Sequence, residues 1–436
     1  MDIHTDYYRA TLPSGMPSAP LEGDVETDVC IVGGGFAGLN TALGLVERGC
    51  RDVLLLEAQQ VGHGASGRNG GFVFGGFSRG EKALLDELGA ERAARLYRAS
   101  LDAVELIRTR IARYGIACDA TYGGVLWANW FRDPTVLRRR QQLLRTRFDT
   151  GWDWIDREEL RSRVRTSRYH DALLERQAFH FHPLKYAHGL AQAVRRGGGR
   201  LHESSPATAL HRDGAGWQVR TPRGSVRARH VVLACGGYLA GLDRAVDAGV
   251  LPIATYVMVT EPLGPRLREV LRTDAAVYDT RFAFDYYRPL PDSRLLWGGR
   301  ISVLDRAPSA VRRLLRRDML KVFPQLEDVR VEHAWSGLMS YARHQMPQIG
   351  EVEPGLWLAQ AFGGHGVAPT AFAGEQLAAA ILSGEGCWPE LGRYPLVPAF
   401  KPAGYVAAQL SYWWAQAKDA LKDVSERRPG DPWNAR

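Results

Sequence analysis

A chain of 436 residues with 45% hydrophobic and 24% charged residues has a globular composition, and its length suggests two packed lobes or one large interleaved unit. The 56 Lys and Arg against 48 Asp and Glu give a formal charge of +8, mostly from arginines scattered along the chain without a nucleic-acid recognition motif, so no nucleic-acid partner is expected. Five widely spaced cysteines (Cys30, Cys50, Cys118, Cys235, Cys387) form no metal-like pattern, and no run of ~18 apolar residues occurs; a reduced, cytoplasmic protein without a metal site is expected.

After a lead over 1–24, residues 28–33 form a short apolar run ending in glycine, as expected of a strand buried on both faces. Helical spacing follows over 36–48, and 52–57 reads as a second buried strand, completing a strand-helix-strand unit. Residues 80–114 predict one long helix. Alternation over 207–229, with turns at Asp213-Gly214 and Pro222-Arg223-Gly224, predicts small antiparallel strands before a buried run at 230–234. Strands are expected again over 251–302, with a hairpin across Pro291-Asp292-Ser293. A last buried strand is expected at 357–361, then a glycine loop, a helix over 370–382 and an aromatic-rich helix over 405–418.

The segment Gly33-Gly34-Gly35-Phe36-Ala37-Gly38 fits G-x-G-x-x-G between a predicted strand and helix, with Glu57 ending the next strand. The glycines let a pyrophosphate approach the backbone, and the helix N-terminus adds roughly half a positive charge. Glu57 suits ribose hydroxyls and repels a 2'-phosphate, which argues against NADP. A second glycine-rich stretch, 62–71, has no obvious use in a nicotinamide enzyme and favours FAD.

With these residues the chain resembles the D-amino-acid-oxidase-like superfamily of FAD enzymes, the glycine oxidase and sarcosine oxidase group, over 20–400. The blocks carrying the resemblance are 31–38, Glu57-Ala58, 64–71, 231–237 and 363–366. Tyr7-Tyr8, the 64–71 block and Gly-His-Gly-Val are most similar to the branch acting on gamma-glutamylputrescine. The resemblance implies an α/β fold: a Rossmann-like FAD-binding domain (25–82, 151–240, 335–385) interleaved with an α+β substrate domain (83–150, 241–334) carrying an antiparallel sheet, and a tail helix within 386–436. It implies that Ala65, Ser66, Arg68, Asn69, Gly70 and Gly71 run past the flavin, Ala207 meets the adenine, and Ala234 and Gly236 flank the pyrophosphate. Gly363, Gly364, His365, Gly366 and Val367 would cap the ring, where a helix N-terminus favours the negative charge of reduction.

The implied reaction is hydride removal from carbon bearing a neutral amine, followed by hydrolysis of the imine. Tyr286, Tyr287, Trp297 and Trp335 lie in segments the family uses to roof the flavin. Tyr287, Arg300, Arg343 and His365 are the catalytic candidates, and Arg68 and Arg288 could also bind a carboxylate. Met339 stands where amino-acid-specific relatives place a carboxylate-binding arginine; Ala368 and Leu296 stand where sarcosine-type enzymes carry lysines. These departures point from small amino acids toward an amine such as gamma-glutamylputrescine, with L-pipecolate or another secondary amino acid as the alternative. Oxygen, a quinone or another carrier would accept the electrons. No cysteine occurs over 337–347, where covalent relatives attach flavin; His63 is a conceivable attachment point, but the reading is non-covalent FAD. The Trp- and Tyr-rich tail helix docks on its own domain or meets a membrane interface.

Overall fold

The computed structural model describes residues 6–426 apart from 14 and 16; the ends of the 1–24 lead and of the 386–436 tail fall outside the described residues. The apolar runs read as doubly buried strands pair in parallel. Gly23–Val32 lies between Val53–Leu56 and Gly224–Leu233, and Arg200–His202 and Leu356–Gln360 extend the sheet on either side. Gly224–Leu233 is one ten-residue strand whose first half also pairs antiparallel with Gly216–Thr221, so the small hairpin layer grows out of the parallel sheet. Two helices, Phe36–Glu47 and Val367–Ser383, cover one face. They cross closely at Gly374, where a Cβ would lie 2.5 Å from the Asn40 carbonyl carbon. Buried Arg110 joins them through Asn40, Glu47 and Glu375.

The second sheet, called the large sheet because all eight of its strands form one continuous order, runs 331–341, 251–260, 295–302, 285–289, 276–279, 125–128, 172–175 and 153–155, antiparallel except for the pair Ala276–Asp279 and Val125–Ala128. Helix Pro308–Val322 packs on its outer face, and the inner face looks toward the parallel sheet. The expected hairpin forms, with Asp285–Pro289 paired to Leu295–Ser302. These pairings divide the chain differently from the boundaries read in sequence. Strands at 153–155 and 172–175, and the end of the strand at 331–341, lie in the large sheet rather than with the parallel one.

The helix expected over 80–114 is two helices, Glu81–Leu88 and Ala90–Tyr114, broken at Gly89, whose φ of 78° no helix accepts. The tail helix is Ala403–Ser425, longer than predicted. Its underside touches the body, while Val406, Leu410, Trp413, Trp414, Leu421 and Val424 point outward. Among the described residues no helix is long and apolar enough to cross a membrane, and no cluster could hold a metal.

Candidate active site

A cavity of about 830 Å³ runs from the Gly33 turn to the inner face of the large sheet, at the upper end of the range for small-molecule sites. Its first end is made by backbone. Strand Gly23–Val32 stops at Gly33 (φ 116°), where a Cβ would lie 2.6 Å from the Ala234 carbonyl oxygen, so only glycine lets these parallel strands close here. Helix Phe36–Glu47 then begins with its N-terminus at the cavity and no acid in its first turn, leaving the positive end for an incoming anion. Ser66 Oγ caps it by accepting from Phe36 N–H at 2.8 Å. Gly38 does not line the cavity. Its role is packing, since a Cβ there would meet the Gly33 carbonyl oxygen at 2.0 Å.

Glu57 lines this end, its two oxygens accepting from Gly34 N–H at 2.7 Å and Gln59 N–H at 2.8 Å. Burial pushes its carboxyl above the ordinary range, and the two amides work against that. Gly35, Phe36, Ala37, Ala58, Ala207, Ala234 and Gly236 line the same end, with Cys235 beside them. Burial raises the Cys235 thiol to about 12, so it stays protonated.

The middle of the wall is the 65–71 segment. Ala65, Ser66, Arg68, Asn69 and Gly70 line the cavity, as does His63, whose ring burial brings down to about 4. Asn69 shapes the segment, its Nδ2 donating to Ser66 O at 2.8 Å and its Oδ1 accepting from Gly71 N–H at 2.8 Å. Gly71 itself turns away from the cavity. At φ 79° a Cβ would meet the Phe181 carbonyl oxygen at 2.1 Å, so its glycine serves the seam between the lobes. Buried Tyr8 of the N-terminal lead braces this seam, donating to Asn69 O at 2.9 Å and accepting from Arg288 Nη2 at 3.2 Å.

At the far end Gly363, Gly364, His365, Gly366 and Val367 form a loop opening helix Val367–Ser383. Gly363 (φ 60°) sits where a Cβ would strike Ser78 Oγ at 2.3 Å, and its N–H donates to Ser340 O at 2.9 Å. His365 meets Phe74 edge-on with centroids 4.9 Å apart, and burial, then Arg140, lowers its pKa to about 4. A neutral imidazole at working pH is a weak base. Phe74, Tyr278, Phe284, Tyr286, Met339 and Tyr412 complete an apolar chamber.

One catalytic candidate, Tyr287, stands elsewhere, as do the roof candidates Trp297 and Trp335 and the carboxylate candidate Arg288. Tyr287 and Trp297 are fully buried on the opposite face of the large sheet, stacked 4.6 Å apart at 3°; strand alternation sends Tyr286 into the cavity and Tyr287 away from it. Trp335 is buried against Tyr8, its indole N–H donating to Arg68 O at 3.0 Å. Arg288 is core, donating to Gly70 O at 2.7 Å and Phe181 O at 2.8 Å. Arg300 does reach the cavity wall, at a left-handed φ of 64°, but its charge is paired with Asp318 through Nε and Nη2 (2.6 and 2.8 Å). Arg343 lines the cavity, exposed and lying over the Phe400 ring at 5.1 Å. Met339 and Ala368 line the cavity as well, whereas Leu296 is buried beside Trp335 and Val257.

Sequence reasoning missed Phe74, Tyr278, Tyr238 and Tyr412. The Tyr238 ring covers Gly64, where a Cβ would come 2.9 Å from it, and Tyr412 arrives from the tail helix. Only the apolar alternation of Phe72 and Phe74 carried a signal.

A glycine turn and helix N-terminus at a parallel sheet, an acid on the next strand, and an apolar chamber under a second sheet define a dinucleotide-dependent oxidoreductase. The glycines leave room where side chains would collide, so the cavity suits an extended dinucleotide. The chain belongs to the DAO family of FAD-dependent oxidoreductases, whose model matches residues 28–380, and FAD is its cofactor. It is 36% identical to gamma-glutamylputrescine oxidoreductase of Escherichia coli over 88% of this chain and 90% of that one. It is 32% identical to the probable oxidoreductase OrdL of Haemophilus influenzae over 86% and 88%. Glycine oxidase from Geobacillus kaustophilus shares the fold, with a TM-score of 0.71 at 21% identity over 85% of this chain and 98% of that one.

Proposed function

We propose that the protein oxidises a carbon–nitrogen bond of an amine whose acidic group lies far from the reacting carbon, a gamma-glutamyl amine such as gamma-glutamylputrescine. The observation carrying this reading is that, among the described residues, the arginines lining the cavity are already engaged, Arg68 by the His63 and Ser336 carbonyls, except Arg343, which stands exposed at the rim. Arg300 is committed to Asp318, Arg288 to backbone carbonyls, and Met339 is apolar. An α-carboxylate next to the reacting carbon would be desolvated among aromatic rings without a partner, at a cost of several kcal/mol. Likeness to the Escherichia coli enzyme supports the same class.

Residues 33–37 would hold the pyrophosphate, Glu57 the ribose, 65–70 the flavin edge and 363–367 its pyrimidine side. Bound FAD supplies the hydride acceptor. The chain's own work is to orient the amine, exclude water through Phe74, Tyr278, Tyr286 and Tyr412, and favour the neutral amine, since among the described residues no carboxylate lines the apolar chamber.

L-pipecolate or another secondary amino acid is the second reading, favoured by Arg343 at the rim, for which no ion pair occurs among the described residues. Anaerobic mixing separates the two. Gamma-glutamylputrescine is expected to bleach the flavin absorbance; bleaching by L-pipecolate alone reverses the order, and no bleaching by any amine or amino acid overturns both.

Among the described residues no lysine lines the cavity, which supports a quinone or other carrier over oxygen as electron acceptor. Exposed Trp413 and Trp414 on the outer face of the tail helix support peripheral membrane contact. Reduced protein should reoxidise faster with a soluble quinone than in air and should sediment with lipid vesicles.

A further inference from the structure

A second cavity, of about 810 Å³, adjoins the first and shares Ala283 and Arg300 with it. The tail helix roofs both. Ala408 and Tyr412 face the first cavity, and Gln416, Asp419 and Asp423 face the second, one stripe at helical spacing. Trp130 forms part of the wall, its ring held between the guanidinium groups of Arg168 at 3.7 Å and Arg281 at 3.6 Å.

Most charges here are already matched. Arg281 is bound by Asp279 and Asp285, Arg300 and Lys321 by Asp318, and Arg168 by Asp423. Three groups are not so engaged. Arg161 and Arg165, both exposed, and Asp419, half-buried under the helix, have no ion pair among the described residues. Among the described residues Asp419 accepts a hydrogen bond from the Phe282 N–H, through Oδ2 at 2.7 Å, and from no side chain. Two available cations facing one available carboxylate across a cavity are complementary to a zwitterion and not to a simple anion.

We propose that this second cavity receives the α-amino-acid head of the substrate, Asp419 taking its ammonium and Arg165 with Arg161 its carboxylate, while the far amine lies in the first cavity. The proposal rests on the gamma-glutamyl amine reading. Length agrees with it: seven residues of helix from Tyr412 to Asp419 span ~10 Å. Nine bonds from the reacting carbon to the head carboxylate of gamma-glutamylputrescine extend ~11 Å, taking ~3.6 Å for every three bonds. L-pipecolate, with its carboxylate on the ring, is too short to enter both cavities.

The test uses the FAD-bound full chain and gamma-glutamylbutylamine, which keeps the head and linker but has no terminal amine to oxidise. Calorimetry should show binding to the wild type, weakened about tenfold in both Asp419→Asn and Arg165→Gln, with melting temperatures unchanged. In turnover the same variants should raise KM for gamma-glutamylputrescine about tenfold with kcat within twofold, and leave KM for putrescine, which lacks the head, unmoved. Equal probe affinity in wild type and variants, or no binding to the wild type, overturns the proposal. Probe binding that depends on Asp419 and Arg165 without oxidation of any amine leaves this site standing and sinks the proposed reaction instead.

Discussion

At the Gly33 end of the cavity, backbone closes on backbone, Gly33 against Ala234 and Gly38 against Gly33, and the Glu57 carboxylate is fixed by the Gly34 amide. At the opposite end, side chains converge from separate parts of the chain: Phe74 from after the 65–71 segment, Tyr278 and Tyr286 from two strands of the large sheet, Tyr412 from the tail helix. The first end tolerates almost no change in atom count, because a backbone carbonyl cannot swing aside. The second can repack, because aromatic rings can. A family can therefore keep one cofactor and vary its substrates.

The sharpest way to break this contrast is Gly38→Ala, which forces a methyl onto the Gly33 oxygen. A loss upward of about 3 kcal/mol and failure to retain FAD are expected, read as a lowered melting temperature and missing flavin absorbance. Normal FAD content in this variant would contradict the contrast.

Acid should open the seam between the two ends next. Burial holds His180 and His182 to about 3, against an ordinary value near 6.5. The unfolded chain therefore takes up protons first as pH falls below 6.5, and stability is lost between there and pH 3. At pH 5 the loss is roughly 2 kcal/mol for each ring. Melting temperatures at pH 7.5 and pH 5 measure it, and His180→Asn should roughly halve the difference, His182 keeping its share.

Tyr8→Phe removes the brace under the flavin segment, leaving Asn69 O without its donor and Arg288 short of one acceptor. A weakening of about 1–2 kcal/mol, visible as faster FAD release, is expected. Ser66→Ala removes the acceptor for Phe36 N–H and should lower stability by about 1 kcal/mol, the smallest of the set.

The cofactor end was legible in the sequence because its determinants are local. The G-x-G-x-x-G turn, the flanking apolar runs and Glu57 sit within 30 consecutive residues, and each fixes its neighbours through φ and strand period. The substrate end was only partly legible. Tyr286 and Tyr287 are adjacent and chemically alike, and which of them faces the cavity depends on the register of Asp285–Pro289 against Leu295–Ser302. Arg300 reads as a carboxylate binder until Asp318, 18 residues on, turns out to pair with its charge through Nε and Nη2.

By itself, then, the sequence determined the parallel sheet, the glycine turn, the acid on the second strand and, through resemblance, the flavin. Short-range stereochemistry and burial periodicity decide all but the last. Only the tertiary structure decided which aromatics form the chamber, which arginines remain available, and that the tail helix roofs two adjoining cavities. Those outcomes depend on contacts between residues hundreds of positions apart, such as Tyr8 with Arg288 or Arg168 with Asp423, which no local pattern encodes.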